Sequence, residues 1–195
     1  SKLRQARMMC FRLTSARVLT TCFSASTVRI ARVSWVRLAQ AFFLTREDHF
    51  RETVIEWLQN WHQNNPVSCG WNWTSVTEAA VRLLNLTWID ALCALPEPLL
   101  QELLPTHGWW VQRYHEVGFT DEEDPLGPIC ALICAAARWP QVQEWTQPLA
   151  ALWAKLEQEI MVQFEANGSW QNLSPHAQVQ AWEWIWHAQQ AGGAR

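Results

Sequence analysis

Apolar residues recur along most of this chain at steps of three and four, the spacing that lines one face of an α-helix. Over residues 48–63 they are Phe50, Val54, Ile55, Trp57, Leu58 and Trp61, and Asn64-Asn65-Pro66 supplies the stop, because proline cannot continue a helix. Residues 26–44 repeat the pattern through Val28, Ile30, Val33, Trp35, Val36, Leu38 and Phe42. After a loop at 67–73, Ser75-Val76-Thr77-Glu78 has the form of a capping box, and a long apolar run to Leu95 follows. Pro96 and Pro98 open another helix with Leu99, Leu100, Leu103 and Leu104. The pattern resumes beyond Pro105 with Trp109, Trp110, Val111 and Tyr114, which predicts a kinked or divided helix.

Asp121-Glu122-Glu123-Asp124-Pro125 reads as an acidic turn. Residues 129–138 read as a buried helix closed by Trp139-Pro140, and 142–164 as an amphipathic helix that Asn167-Gly168 ends in a left-handed cap. A last helix is expected over 176–190. No stretch alternates with period two between hairpin turns, so the fold class is all-α, built of antiparallel helical hairpins. Periodicity alone does not choose among a bundle, a solenoid and a closed toroid.

Composition adds bounds. At 195 residues and 49% hydrophobic, the chain is long enough for one domain with a real core. Polar residues break every apolar run well short of about eighteen residues, so no membrane insertion is expected. The net charge of -3 hides an asymmetry: residues 1–46 carry nine Lys or Arg and no acid, and the remainder carries six against all eighteen acids. Residues 1–25 are therefore expected to be a poorly ordered basic leader, in the manner of a transit peptide or a nucleic-acid arm, ahead of a helical domain over 26–195. The acidic remainder would repel phosphates, which argues against a nucleic-acid partner. The first residue, Ser1, and the end Gly192-Gly193-Ala194-Arg195 suggest a piece of a longer protein. The six cysteines include no CxxC, and Cys130 and Cys134 sit one turn apart in an apolar run. They are expected to be small buried hydrophobes, with no metal and no other cofactor.

Candidate chemistry rests on tryptophan and on one charged pair. There are fifteen tryptophans, and Trp71, Trp73, Trp109, Trp110, Trp139 and Trp170 fall in loops or at helix ends. Indole faces stack on the apolar faces of sugar rings, and the N–H donates to hydroxyls. Trp71 and Trp73, flanking Asn72, are candidates either for ligand binding or for packing, whereas Trp57, Trp61, Trp88 and Trp153 are expected in the core. Glu78 and Arg82 stand four apart on one helix in the favourable order for an ion pair. Their apolar neighbours imply a partly buried pair or a cleft, where Arg82 could bind a carboxylate bidentately.

Asn65-Pro66, Gly70, Asn72-Trp73, Ser75, Glu78 and Arg82, in that order, resemble a signature of the N-terminal domain of heparinase II/III-like polysaccharide lyases. Phe43-Leu44-Thr45, Trp139-Pro140, Trp145 and Asn167-Gly168-Ser169-Trp170 followed by Ser174 are also similar to that family, over residues 33–174. The resemblance implies an incomplete (α/α) toroid, a periplasmic or secreted location, and β-elimination on acidic polysaccharides such as heparin, heparan sulfate or alginate. It carries over Asn72, Trp73, Glu78, Arg82 and Trp170 as substrate-binding residues, to which loop position adds Trp71, and Arg82 as the carboxylate contact. In that chemistry the uronic carboxylate is neutralised so that a base can remove the neighbouring C5 proton. Two departures follow. The family's Asn-His pair is replaced by Glu122-Glu123-Asp124-Pro125-Leu126-Gly127, and its Tyr-His pair by Ala177-Gln178. His176 lies beside the second and is the candidate catalytic substitute, although an offset of one residue turns a helical side chain by about 100°. The expectation is a domain that binds an acidic polysaccharide but is catalytically impaired. The competing expectation is a non-enzymatic helical scaffold that binds another protein.

Overall fold

The computed structural model describes residues 27–115, 125–142, 145–171 and 174–192, with side chains from residue 34 onward. The basic leader over 1–25 and the acidic stretch 121–124 lie outside the described residues. The described residues form seven α-helices: α1 Thr27–Thr45, α2 Asp48–Asn64, α3 Val76–Cys93, α4 Glu97–Tyr114, α5 Leu126–Arg138, α6 Leu149–Gln163 and α7 Pro175–Gly192. A 3-10 turn, Trp71–Trp73, precedes α3, and among the described residues there is no strand. The class is all-α, as the periodicity predicts.

Contacts arrange the helices in two rows. Odd-numbered helices touch in sequence, α1 on α3, α3 on α5 and α5 on α7, and each even-numbered helix packs on the odd one before it. Direction follows from the ties between ends. Arg51, at the start of α2, donates from Nε to the Cys93 carbonyl and from Nη2 to the Ala94 carbonyl, both at 2.7 Å. Arg138, at the end of α5, reaches Asp90 near the end of α3. The His187 ring, late in α7, lies 5.6 Å from that of Trp88, late in α3. The odd helices thus run parallel and all begin at one end of the array, where the even helices finish.

The middle of the first row is the driest part. From Leu126 to Ala136 every residue of α5 is buried, since α3, α7 and α6 cover it on three sides. Burying Leu126, Ile129, Leu132 and Ile133 contributes roughly 1.5–3 kcal/mol each. Small residues let neighbours approach: a Cβ on Gly127 would stand 2.9 Å from the Trp184 ring. The helix starts three residues earlier than the apolar run suggests, because Pro128 falls in the first turn, where its missing N–H costs nothing.

Three other expectations are corrected. Pro105 does not divide α4, which is continuous over Glu97–Tyr114. The helix expected over 142–164 is only Leu149–Gln163, because Pro148 occupies its N-cap in extended conformation (ψ 147) and proline disfavours helix in the residue before it. Asn167-Gly168 is not a helix cap. The chain leaves α6 extended at Phe164, pairs Phe164 antiparallel with Trp170, and turns at Gly168 with φ 81. Glu165 N–H to Ser169 O (2.9 Å) and Gln171 N–H to Gln163 O (3.0 Å) close this small hairpin. Asn-Gly supplies positive φ in either setting, and the edge-on packing of Phe164 and Trp170 decides between them.

Cys93, Cys130 and Cys134 are buried, as expected, whereas Cys69 is exposed. Burial pushes the Cys93 thiol up to about 11 against the opposing pull of Arg51, and the Cys134 thiol up to about 12. Brief treatment of the folded protein with N-ethylmaleimide at neutral pH should therefore modify Cys69 and spare these three, as peptide mass spectrometry would read. Well below pH 9 the Cys93 and Cys134 thiols are neutral in both folded and unfolded chains. From pH 9 upward the unfolded chain ionises first, so stability falls with rising pH toward 11 to 12.

Candidate functional site

The expected site residues all fall at the end where the odd helices begin. Ser75 caps α3 by accepting the Glu78 N–H at 3.2 Å, as the capping box predicts. Ahead of that cap the chain must reverse out of α2 within a dozen residues, and Asn65 organises the reversal. Its side-chain amide donates to the Trp61 carbonyl at 2.7 Å, its Oδ1 accepts from Asn72 Nδ2, and its backbone carbonyl accepts from Trp73 Nε1 at 3.1 Å. Gly70 sits at φ 75, ψ -179, a region almost confined to glycine, and a Cβ there would meet nothing. The glycine is required by the backbone path, not by crowding.

This bracing splits the tryptophan pair. Trp73 turns inward, 2% exposed, while Trp71 stands outward on the same 3-10 turn, 88% exposed. Thr74 fixes the turn, donating from Oγ1 to the Trp71 carbonyl at 2.9 Å. Asn72 and Glu78 are half-buried beside it.

Arg82 lies beneath. It is 2% exposed, with its guanidinium carbon 4.7 Å from the centre of the Trp73 ring and 5.1 Å from that of Trp61. Its Nε donates to His107 Nε2 at 3.2 Å. Arginine has no acceptor, so His107 Nε2 carries the lone pair, and Nδ1 carries the proton that meets the Leu103 carbonyl at 2.8 Å. His107 is thereby held as one neutral tautomer, its ring 5.1 Å from Trp73 and 5.6 Å from Trp61. Sequence reasoning anticipated burial of Arg82 but not His107, which lies 25 residues away on another helix. In this structure Arg82 does not present its guanidinium to solvent. It braces the floor on which the Trp71 turn stands.

The remaining expected residues sit farther along the same end. Trp170 is 6% exposed and packed edge-on against Phe164 at 4.9 Å, so it belongs to the interior. His176 is exposed in the first turn of α7. α5 lies between α3, which the Trp71 turn precedes, and α7, which carries His176. Gln178, where the resembled family has histidine, donates from Nε2 to the Gly168 carbonyl at 3.2 Å and ties the small hairpin to α7. Trp57, expected in the core, is 42% exposed, and Trp109 is 50% exposed.

Among the described residues no group of three or more His, Cys, Asp or Glu could hold a metal ion, and no helix is long and apolar enough to cross a membrane. No protein-family model, curated protein or solved structure matches the chain.

Proposed function

We propose that this chain binds an acidic polysaccharide across the end where the odd helices begin, as a lyase-like domain that does not cleave what it binds. The observation that carries this reading is Trp71, an indole almost fully in water on a turn that Asn65, Gly70 and Thr74 hold in one shape. A large apolar ring kept in solvent by a braced backbone loses little entropy when a flat apolar partner covers it, and the faces of sugar rings are such partners. Asn72 and Glu78 flank it with groups suited to hydroxyls, while Trp73 and Arg82 act through the loop they support. The acidic character of the ligand, and a periplasmic or secreted setting, come from the resemblance to heparinase II/III-like lyases.

Titration calorimetry with heparin and alginate oligosaccharides tests the reading. Trp71→Ala should weaken binding roughly tenfold, with a melting temperature within about 2 °C of the parent because the ring packs on nothing. Equal affinity for parent and variant would favour the scaffold reading, in which exposed Trp57 and Trp109 meet a protein.

Lyase activity should be absent. Gln178 serves as a strut and His176 lies beside the family's position, not on it. General-base catalysis alone supplies only about 10² to 10⁴ in rate, well short of the 10⁶ or more that enzymes reach. The ultraviolet absorbance of unsaturated uronate should stay flat when the protein is incubated with heparin, heparan sulfate or alginate. Steady growth that His176→Ala abolishes would instead make His176 the base.

A further inference from the structure

At the opposite end of the array, where α3, α5 and α7 finish, there is a cavity of about 230 Å³. It opens on the side of α3 away from α4. The residues of α3 that approach the outer row include Arg82, Leu86 and Ile89, and those lining the cavity include Leu84, Trp88 and Ala91, two positions on and hence about 200° around the helix. Its walls are mostly apolar. Ala137 and Cys134 come from α5, Ala191 from α7, and the half-buried Trp88 indole stands along one side.

Two polar groups meet at this cavity with hydrogen-bonding capacity left over. Arg138 spends Nε (2.9 Å) and Nη2 (2.7 Å) on Asp90 Oδ2, and Nη2 also approaches the Asp90 carbonyl at 3.4 Å. Neither hydrogen on Nη1 has a partner among the described residues, and the side chain is 36% exposed. The Gln190 side-chain amide, half-buried in the lining, is likewise uncommitted. Asp90 fixes the guanidinium plane, so the free edge of the fork is already oriented before anything binds.

We propose that this cavity binds a small carboxylate with a single-ring or short apolar body, its oxygens on Arg138 Nη1 and the Gln190 amide and its body along Trp88. Size decides the class. A cavity of roughly 150 Å³ holds benzene, whereas drug-sized ligands occupy about 300 Å³ or more, and this one lies between. Thr87 and the His187 ring also line the cavity, and Arg138 is its one Lys or Arg among the described residues, which favours a single carboxylate over dicarboxylates and phosphates. Because Asp90 already neutralises Arg138, affinity should be modest, on the order of millimolar for a ligand of this size. The site lies at the far end from Trp71 and stands independently of the polysaccharide reading.

The test is an NMR titration of the labelled chain with benzoate, benzamide and acetate. Benzoate should give saturable shifts at the Trp88 indole, the Ala137 amide and the Gln190 side chain, and benzamide should bind about tenfold more weakly. Acetate, lacking the ring, should not saturate. Ala137→Leu, which fills the cavity with an apolar group, should abolish the benzoate shifts while the rest of the spectrum stays that of a folded chain. Arg138→Lys, which keeps a cation for Asp90 but loses the fork, should erase the preference for benzoate over benzamide. Absence of saturable benzoate shifts, or shifts that survive Ala137→Leu, would overturn the site. Equal binding of benzoate and benzamide by the parent chain would overturn the carboxylate assignment.

Discussion

Asp90→Ala should destabilise the chain by about 3 kcal/mol, toward the lower end of what losing one partner of a buried ion pair costs, since Arg138 is partly in water and can turn outward. Asp90 is 6% exposed and does three things. Its Oδ2 holds Arg138, its Oδ1 accepts the Leu95 N–H at 2.9 Å, and its backbone carbonyl accepts the Ala94 N–H at 3.0 Å. Ala94 ends α3 at φ 51, a left-handed conformation that costs a non-glycine residue roughly 1 kcal/mol. Removing the carboxylate leaves that strained cap with one fewer bond to hold it and strands a buried N–H. For a chain of this length the loss corresponds to a drop of about 6–12 °C in melting temperature, measurable by differential scanning calorimetry. Arg138→Met should also destabilise, because it leaves the buried Asp90 carboxylate without its cation, and the double variant should be more stable than the sum of the single losses implies. Strict additivity would show that the two residues do not act together.

Arg82→Ala should be comparably damaging, by about 3–5 kcal/mol, for a different reason. Truncation empties the space beside Trp61 and Trp73, takes a cation off both rings, and leaves His107 Nε2 buried without the donor that fixes its tautomer. Each cation–π contact of a desolvated guanidinium contributes up to about 2 kcal/mol. Chemical denaturation would give the loss in stability, and intrinsic fluorescence of the folded variant should shift to the red as water reaches Trp73. Arg82→Lys should not rescue, because a compact ammonium cannot contact both indoles and also donate to His107 as the planar guanidinium does. A variant that keeps its stability but loses polysaccharide affinity would return Arg82 to the role of a direct carboxylate contact. The pairing with Trp71→Ala is informative, since one residue should matter to folding and the other to binding although they are eleven positions apart.

Local rules made most helices legible. The cap at Ser75, the stop at Asn65-Pro66 and the three-and-four spacing place α1, α2, α3 and α7 to within two residues, and Pro96 and Pro98 mark where α4 opens but not that it runs undivided past Pro105. What local rules cannot supply is the partner across space. Arg138 meets Asp90 over 48 residues and Arg82 meets His107 over 25, and nothing in either neighbourhood names the other. The same limit explains Asn167-Gly168, where the dipeptide fixes the backbone conformation but the edge-on packing of Phe164 and Trp170 fixes what that conformation is part of. It also explains the tryptophans. Position in a loop did not separate Trp71 from Trp73, because Asn65, six and eight residues earlier, directs one outward and the other inward.

The two-row order of contacts also bears on cooperativity. Each hairpin packs chiefly on the next, so coupling passes along the row one interface at a time, and the chain approximates a one-dimensional lattice. In such a lattice an end unit has one neighbour and an interior unit two. Opening should therefore proceed inward from the ends, and α5, flanked on both sides and buried from Leu126 to Ala136, should show the slowest amide exchange among the described helices.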